Sequence, residues 1–404
     1  MDATNIFLSI LDATVHNKPV KFQEDMNFSQ VLSMAQAHNI LPLVCEKLCE
    51  DPDFTKHPEF ETYVNKAMEI IAVQAKRTDI FLALYQAFYR AGLHPIVMKG
   101  IMCRRLYGEL CDHRPSGDED ILIQKSDFKR LSVVLSEQGF RSERSEVTEK
   151  QLEELQEISF YHRDSGLLIE VHTNPIGREN DIRCQMNACF QNVFEHLKQT
   201  EIAGTLLWTM DDTDHLLLLI LHAFKHMTVS GFGVRQMLDI LLFYERNEKT
   251  IDMAYILEML EMVKAKKFFS DLIYLGNQYL GFHFSSFGEC YFAEELLDDL
   301  MRNGVFGNLT QAQQISRVMT DAAVAQRNKA GSANLIHAIF PGRKFLLTGY
   351  PKLIEQPWLL PICWIKRWIK FLKSKTGNKY HLAADSMEIS NRKIDLLRKY
   401  DVFS

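Results

Sequence analysis

Residues 114–123 read RPSGDEDILI. A turn at Ser116-Gly117 leads into three consecutive acids, Asp118, Glu119 and Asp120, and then into the apolar run Ile121-Leu122-Ile123. Such a run, entered from a turn, reads as a buried strand. Side chains alternate across a strand, so Asp118 and Asp120 share one face and Glu119 takes the other. Two carboxylates side by side in a partly dry site repel each other unless a cation sits between them. Oxygen donors of this kind suit Mg²⁺ or Mn²⁺. One reading of the stretch is therefore a divalent-metal site at the mouth of a strand. The other is an ordinary solvated acidic turn, because D-x-D is a common string.

The neighbouring sequence bears on the choice. Downstream, residues 157–174 (EISFYHRDSGLLIEVHTN) read as a hairpin with its turn at Asp164-Ser165-Gly166. Glu170 lies in the second arm, inside a run too apolar to leave it exposed. On an adjacent strand it would complete an acidic triad with Asp118 and Asp120. Upstream, PIVMKG (95–100) reads as a short strand ending in a Lys99-Gly100 turn, and IMCRRLYG (101–108) as a short helix. Backbone amides at the start of that helix are a place where anionic oxygens can bind. Ser126-Asp127 reads as the N-cap of a helix running to Gly139. A further strand, TLLWTM, is expected over 205–210.

Outside this mixed region the pattern is helical. Residues 60–92 carry apolar side chains at helical spacing, as one long helix or two in succession. Beyond Asp211 helices resume, beginning with DDTDHLLLLILHAFKHM, whose acidic first turn suits a helix N-terminus. The expected fold class is α+β: a small mixed sheet over 92–210 flanked by helices, an N-terminal helical region over 1–91 and a C-terminal helical domain over 211–404.

The 404 residues are 47% apolar and 24% charged, with a formal net charge of −6. That is a folded globular composition without the basic footprint that would suggest duplex nucleic acid as partner. The N-terminus reads as an amphipathic helix, not a signal peptide. No segment is apolar enough to span a bilayer. The eight cysteines form no CxxC pair and are expected as thiols in a reducing compartment, hence a cytoplasmic protein. The basic, aromatic stretch 357–375 reads either as a membrane-surface segment or as a bundle helix with Trp364 and Trp368 packed inward. His222 and His226 lie four apart on one helix face, but no glutamate sits between them as it does in HExxH zinc sites. Arg235 and Asp239 are also four apart and read as a helix ion pair.

The ordered set Lys99, Gly100, Tyr107, Arg114, Pro115, Gly117, Asp118, Asp120, Glu170 and His172 resembles the nucleotidyltransferase superfamily with the DNA polymerase β-type catalytic core. Within it, the set is most similar to the bacterial branch of uncharacterised nucleotidyltransferases. The resemblance covers about 94–175 and continues more weakly through LLILHAFKHMTVSGFGVRQMLDI. It implies transfer of a nucleoside monophosphate from an NTP–Mg²⁺ complex to a hydroxyl-bearing acceptor. Asp118, Asp120 and Glu170 would be the catalytic and metal-binding acids. Lys99, Gly100, Arg114, Ser116 and Gly117 would contact the nucleotide, with Lys225, His226 and Arg235 bordering the nucleotide or acceptor pocket. Better-known members have Gly-Ser where this chain has Lys99-Gly100, so a charge replaces the usual serine contact. The third acid is Glu170 where the branch often has Asp. A nucleotide-binding protein without turnover, and a toxin-like transferase acting on tRNA or protein, are the rival readings. The acceptor, the preferred base and the oligomeric state stay open.

Overall fold

The computed structural model describes the chain except residues 1, 21–25, 145–146, 156, 179, 229–230, 304–310, 326–339, 348, 374–378 and 404. Part of the segment 357–375, and Val229-Ser230 within the weaker region of resemblance, lie outside the described residues.

A mixed sheet of seven strands runs in the order β3-β4-β5-β2-β1-β7-β6. The strands are β1 (Ile96–Val97), β2 (Asp118–Leu122), β3 (Phe140–Arg141), β4 (Ile158–His162), β5 (Leu168–His172), β6 (Leu197–Ile202) and β7 (Thr205–Met210). The architecture is α+β. β4 and β5 form the expected antiparallel hairpin. β2 and β5 are parallel neighbours in the centre, with Asp120 opposite Glu170 and Leu122 opposite His172. In a parallel pair opposed residues point the same way, so Asp118, Asp120, Glu170 and His172 lie on one face.

Two apolar layers cover the sheet. On one side Ile121, Ile123, Ile169 and Val171 pack with Phe81, Tyr85 and Phe88, which come from a single 31-residue helix, Phe60–Arg90. On the other side Ile96, Met98 and Leu122 join a larger core that includes Phe7 and Leu11 near the N-terminus, Leu217 and Leu241, and Tyr400 near the C-terminus. N-terminal and C-terminal helices thus share one core. Helix Asp212–Met227 runs through it, and Leu216 to Leu221 are all buried. Apolar residues all round a helix mark it as interior. Its start is capped by Asp211, which accepts from the Asp214 amide at 2.8 Å. Lys225 and His226 fall in its last turn, the end that favours positive charge.

Several local details differ from the sequence-based expectation. The 3₁₀ turn Lys125–Asp127 precedes helix Phe128–Glu137, and no side chain caps that helix. Strands β3 and β6 were not expected. β3 spans only two residues, and β6 carries the polar sequence KQTE between Leu197 and Ile202, paired on one edge to β7. The β6–β7 turn places Ala203 at φ 46° and Gly204 at φ 75°, both left-handed. That is the backbone of a type I′ hairpin turn.

Candidate functional site

The convergence begins at β2 and β5. One oxygen each from Asp120 and Glu170 and one nitrogen from His172 all lie within 4.8 Å of one another. His172 Nε2 is 3.0 Å from Asp120 Oδ1. The strand register alone produces this, because Glu170 and His172 are two residues apart on β5 and Asp120 sits beside them on β2. Asp118 shares the face and lies half-buried at the strand's mouth, outside that close set. Asp118, Asp120 and Glu170 share one face as expected, and the closest group on it joins His172 to Asp120 and Glu170. The alternation that placed Glu170 also placed His172, but no ligand role was read from it.

Glu119 points to the opposite face. It is fully buried, 2.5 Å from Arg104 Nη1, and accepts from the Ile101 amide at 2.8 Å. That amide opens the short helix Ile101–Arg104. The next amides, of Met102 and Cys103, donate to the Lys99 and Gly100 carbonyls. The anionic oxygen at the start of this helix is thus the protein's own, that of Glu119. Gly100 has φ 61°, and a Cβ there would lie 2.0 Å from Glu119 Oε2. The Lys99-Gly100 turn requires glycine for close approach as well as for backbone conformation.

Lys99 reaches across the site. Its ammonium is 3.0 Å from Asp120 Oδ1 and 2.9 Å from His222 Nε2. His226 Nε2 stands a further 3.2 Å from His222 Nε2. A continuous polar chain therefore runs Asp120, Lys99, His222, His226. Burial works against the Lys99 charge, but Asp120, Asp118 and Glu170 outweigh it and its pKa rises. Burial, followed by the charges of Lys99 on His222 and of Lys225 on His226, drives both imidazoles well below their usual range. They are neutral at pH 7.

The carboxyls divide sharply. Burial alone would raise Asp120, yet Lys99 and His172 hold it well below the usual range. Glu170 is pushed up to about 9 by burial, with Asp120, Glu157 and Asp118 adding to it. Asp118 is raised by burial and by Asp120, against the pull of Lys99, Arg235 and Arg114. Asp120 is the ionised anchor, and Glu170 is a carboxyl for which Lys99 does not outweigh burial and the neighbouring acids. A group with two oxygen donors and an imidazole nitrogen, one oxygen poorly neutralised, fits a divalent ion.

The other expected contacts are spread around this centre. Arg114 is buried and donates from Nε to Asp239 Oδ1 at 3.0 Å, with Nη2 bound to the other oxygen. Tyr107 donates its hydroxyl to the same Oδ1 at 3.0 Å. Asp239 is thus paired with Arg114 and not with Arg235, whose Nη1 donates to the Pro115 carbonyl. The Ser116 hydroxyl is taken by Arg104 and its amide donates to Gln74 Oε1 at 2.8 Å. Gly117 is exposed and has nothing near it that a Cβ would meet. Lys225 is buried on the helix that carries His222 and His226. Arg235 lies close enough to the mouth of β2 to act on Asp118.

A protein-family profile described as uncharacterised nucleotidyltransferase matches residues 24–281, well over half of the chain. No curated protein and no solved structure matches. No helix among the described residues is long and apolar enough to cross a membrane.

Proposed function

We propose that this chain, which belongs to the uncharacterised nucleotidyltransferase family, moves a nucleoside monophosphate from a nucleoside triphosphate to a hydroxyl on an acceptor molecule. The observation that carries the reading is the Asp120, Glu170 and His172 set beside Lys99, all at the centre of the sheet.

In the reaction the acceptor oxygen forms a bond to the α-phosphorus, and the bond from that phosphorus to the bridging oxygen breaks. The hydroxyl proton leaves and pyrophosphate departs with the electron pair of the broken bond. Asp120, Glu170 and His172 would hold a divalent cation, which when bound supplies charge neutralisation for the triphosphate and the leaving pyrophosphate. The imidazole nitrogen in the set suits Mn²⁺ better than Mg²⁺.

The chain's own groups do the rest. Lys99 brings positive charge to the site and holds Asp120 in place. Glu170, ionised where it holds the cation, would help to take the acceptor's proton. Asp118, at the mouth, faces the incoming triphosphate and is the third acid of the site. Lys225, His226 and Arg235 border the nucleotide or acceptor. Arg114 acts indirectly, by fixing the segment that enters β2 through its pair with Asp239.

The test is incubation of the protein with each α-labelled NTP and Mn²⁺ or Mg²⁺, with cell extract as the acceptor pool. The wild type transfers label to a discrete fraction, and Asp120→Asn reduces transfer by several orders of magnitude, because the lost charge acts in the transition state. Absence of transfer with all four nucleotides and both ions would overturn the reading.

A further inference from the structure

We propose that the helix Leu360–Lys373 is a docking surface for an anionic lipid bilayer. The helix lies beyond the segment that matches the family profile, which ends at residue 281.

One side of this helix is fixed to the protein. Cys363 is buried in the core layer beneath the sheet. Trp364 donates its indole N–H to the Pro341 carbonyl at 3.0 Å. The Phe340 ring sits against Trp364 and Trp368, with centroids 5.2 and 4.8 Å apart. The inward packing of the two tryptophans leaves the other side outward, and that side is not polar. Ile362, Ile365 and Ile369 are 48%, 51% and 46% exposed. They recur at three- and four-residue spacing, so they form one continuous stripe. Trp358, just before the helix, is 69% exposed, the highest value for a large apolar side chain among the described residues. Single exposed apolar residues need no explanation, but a contiguous stripe does.

Charge identifies the occupant. The chain as a whole carries −6, yet no Asp or Glu occurs between Gln356 and Asp385. The same stretch contains Lys366, Arg367, Lys370 and Lys373. Lys366 is exposed at the border of the isoleucine stripe. Protein–protein interfaces are depleted of lysine. An apolar stripe edged by lysine, without acids and with tryptophan at its end, is the pattern of a helix lying in a membrane interface. There the isoleucines enter the acyl boundary, the indole of Trp358 sits at headgroup level, and Lys366 meets anionic headgroups. The helix is too short and too charged to span a bilayer. The surface orients the sheet, through Cys363 and Trp364, with respect to the bilayer.

The experiment is sedimentation of the full chain with two kinds of vesicle: phosphatidylcholine alone, and phosphatidylcholine in which roughly a third of the lipid is phosphatidylglycerol. The wild type pellets with the anionic vesicles, less with the neutral ones, and less again as salt is raised. The variants Ile365→Ser/Ile369→Ser and Lys366→Glu change exposed side chains and keep the wild-type melting temperature. Each partitions about tenfold more weakly, or worse. Failure of the wild type to bind anionic vesicles, or equal binding by the isoleucine variant, overturns the proposal. Light scattering of the same samples covers the other occupant. A wild-type dimer that becomes a monomer in Ile365→Ser/Ile369→Ser assigns the stripe to a second copy of the chain and overturns the lipid reading. Neither outcome depends on nucleotidyl transfer.

Discussion

Gly100 lies so close to Glu119 that a Cβ on it would fall 2.0 Å from Glu119 Oε2 and 2.6 Å from Glu119 Cδ. Glu119 has little freedom to retreat, since its carboxylate is held by Arg104 and by the Ile101 amide. Gly100→Ala therefore combines a left-handed φ of 61° with loss of a buried charged hydrogen bond. The expected cost is about 2–4 kcal/mol. Urea unfolding of wild type and variant measures it. An unchanged midpoint would mean that the turn opens without disturbing Glu119.

The buried pair of Arg114 and Asp239 gives a second prediction. Either partner removed alone leaves the other charge buried, so Asp239→Leu and Arg114→Met should each destabilise by about 3–5 kcal/mol. The double variant should cost clearly less than the sum, because neither charge is then stranded. Tyr107 shares the Asp239 oxygen and would lose its acceptor in every variant containing Asp239→Leu. A thermodynamic cycle on Arg114→Met, Asp239→Leu and the double variant decides it. Strict additivity would show that the pair is not coupled in solution.

The strands carrying the acids were legible because alternation is a local signal. Ile121-Leu122-Ile123 fixes a strand, the strand fixes the faces of Asp118, Glu119 and Asp120, and the hairpin fixes Glu170. The partners of those acids were not legible. Lys99 meets His222 across 123 residues of chain, and Arg114 meets Asp239 across 125. Helical spacing offered Arg235 as the partner of Asp239, but tertiary packing brought a bidentate guanidinium from outside the helix. The edge strand β6 escaped because an edge with polar side chains has no apolar period to read. His172 falls on the same face as Glu170 by the same alternation, but an imidazole at a strand end carries no ligand signal of its own until the fold sets it against Asp120.

Asp118 and Asp120, read from sequence, repel each other. In the fold Lys99 stands beside Asp120 as its cation, so the unfavourable charge falls on Glu170 as well as on Asp118. Asp120→Asn should therefore destabilise the metal-free protein, by removing the partner of Lys99 and His172. Glu170→Gln should leave its melting temperature unchanged or slightly higher. Both should abolish stabilisation by Mn²⁺, which in the wild type grows with the logarithm of ion concentration. Thermal shift assays with Mn²⁺ and Mg²⁺ separate the effects. A strongly destabilised Glu170→Gln beside a wild type insensitive to either ion would count against a metal site.

His215 supplies a pH dependence remote from the acids. It is fully buried, with Nδ1 3.3 Å from Thr209 Oγ1 and its ring 4.7 Å from that of Phe243. Burial, with Lys198 and Arg105 adding to it and Asp212 opposing, lowers its pKa to about 3 from the ordinary 6.5. The folded pKa is depressed, so between these values the unfolded chain binds more protons than the native one. The neutral imidazole's contribution is fully present above pH 6.5 and is lost as pH falls toward 3. The slope approaches about 1.4 kcal/mol per pH unit, or about 2 kcal/mol by pH 5. His38, lowered to about 4 by burial, acts in the same direction. Asp214, raised to about 6 by burial and Asp211, acts in the opposite one. Comparison with His215→Phe cancels both. Phenylalanine keeps the ring contact with Phe243 and gives up the Nδ1 contact with Thr209 and a backbone hydrogen bond at Met98. Those losses offset the two proteins equally at every pH, so between pH 7.5 and pH 5 the wild type should lose about 2 kcal/mol relative to the variant. Parallel curves over that range would place the His215 proton elsewhere.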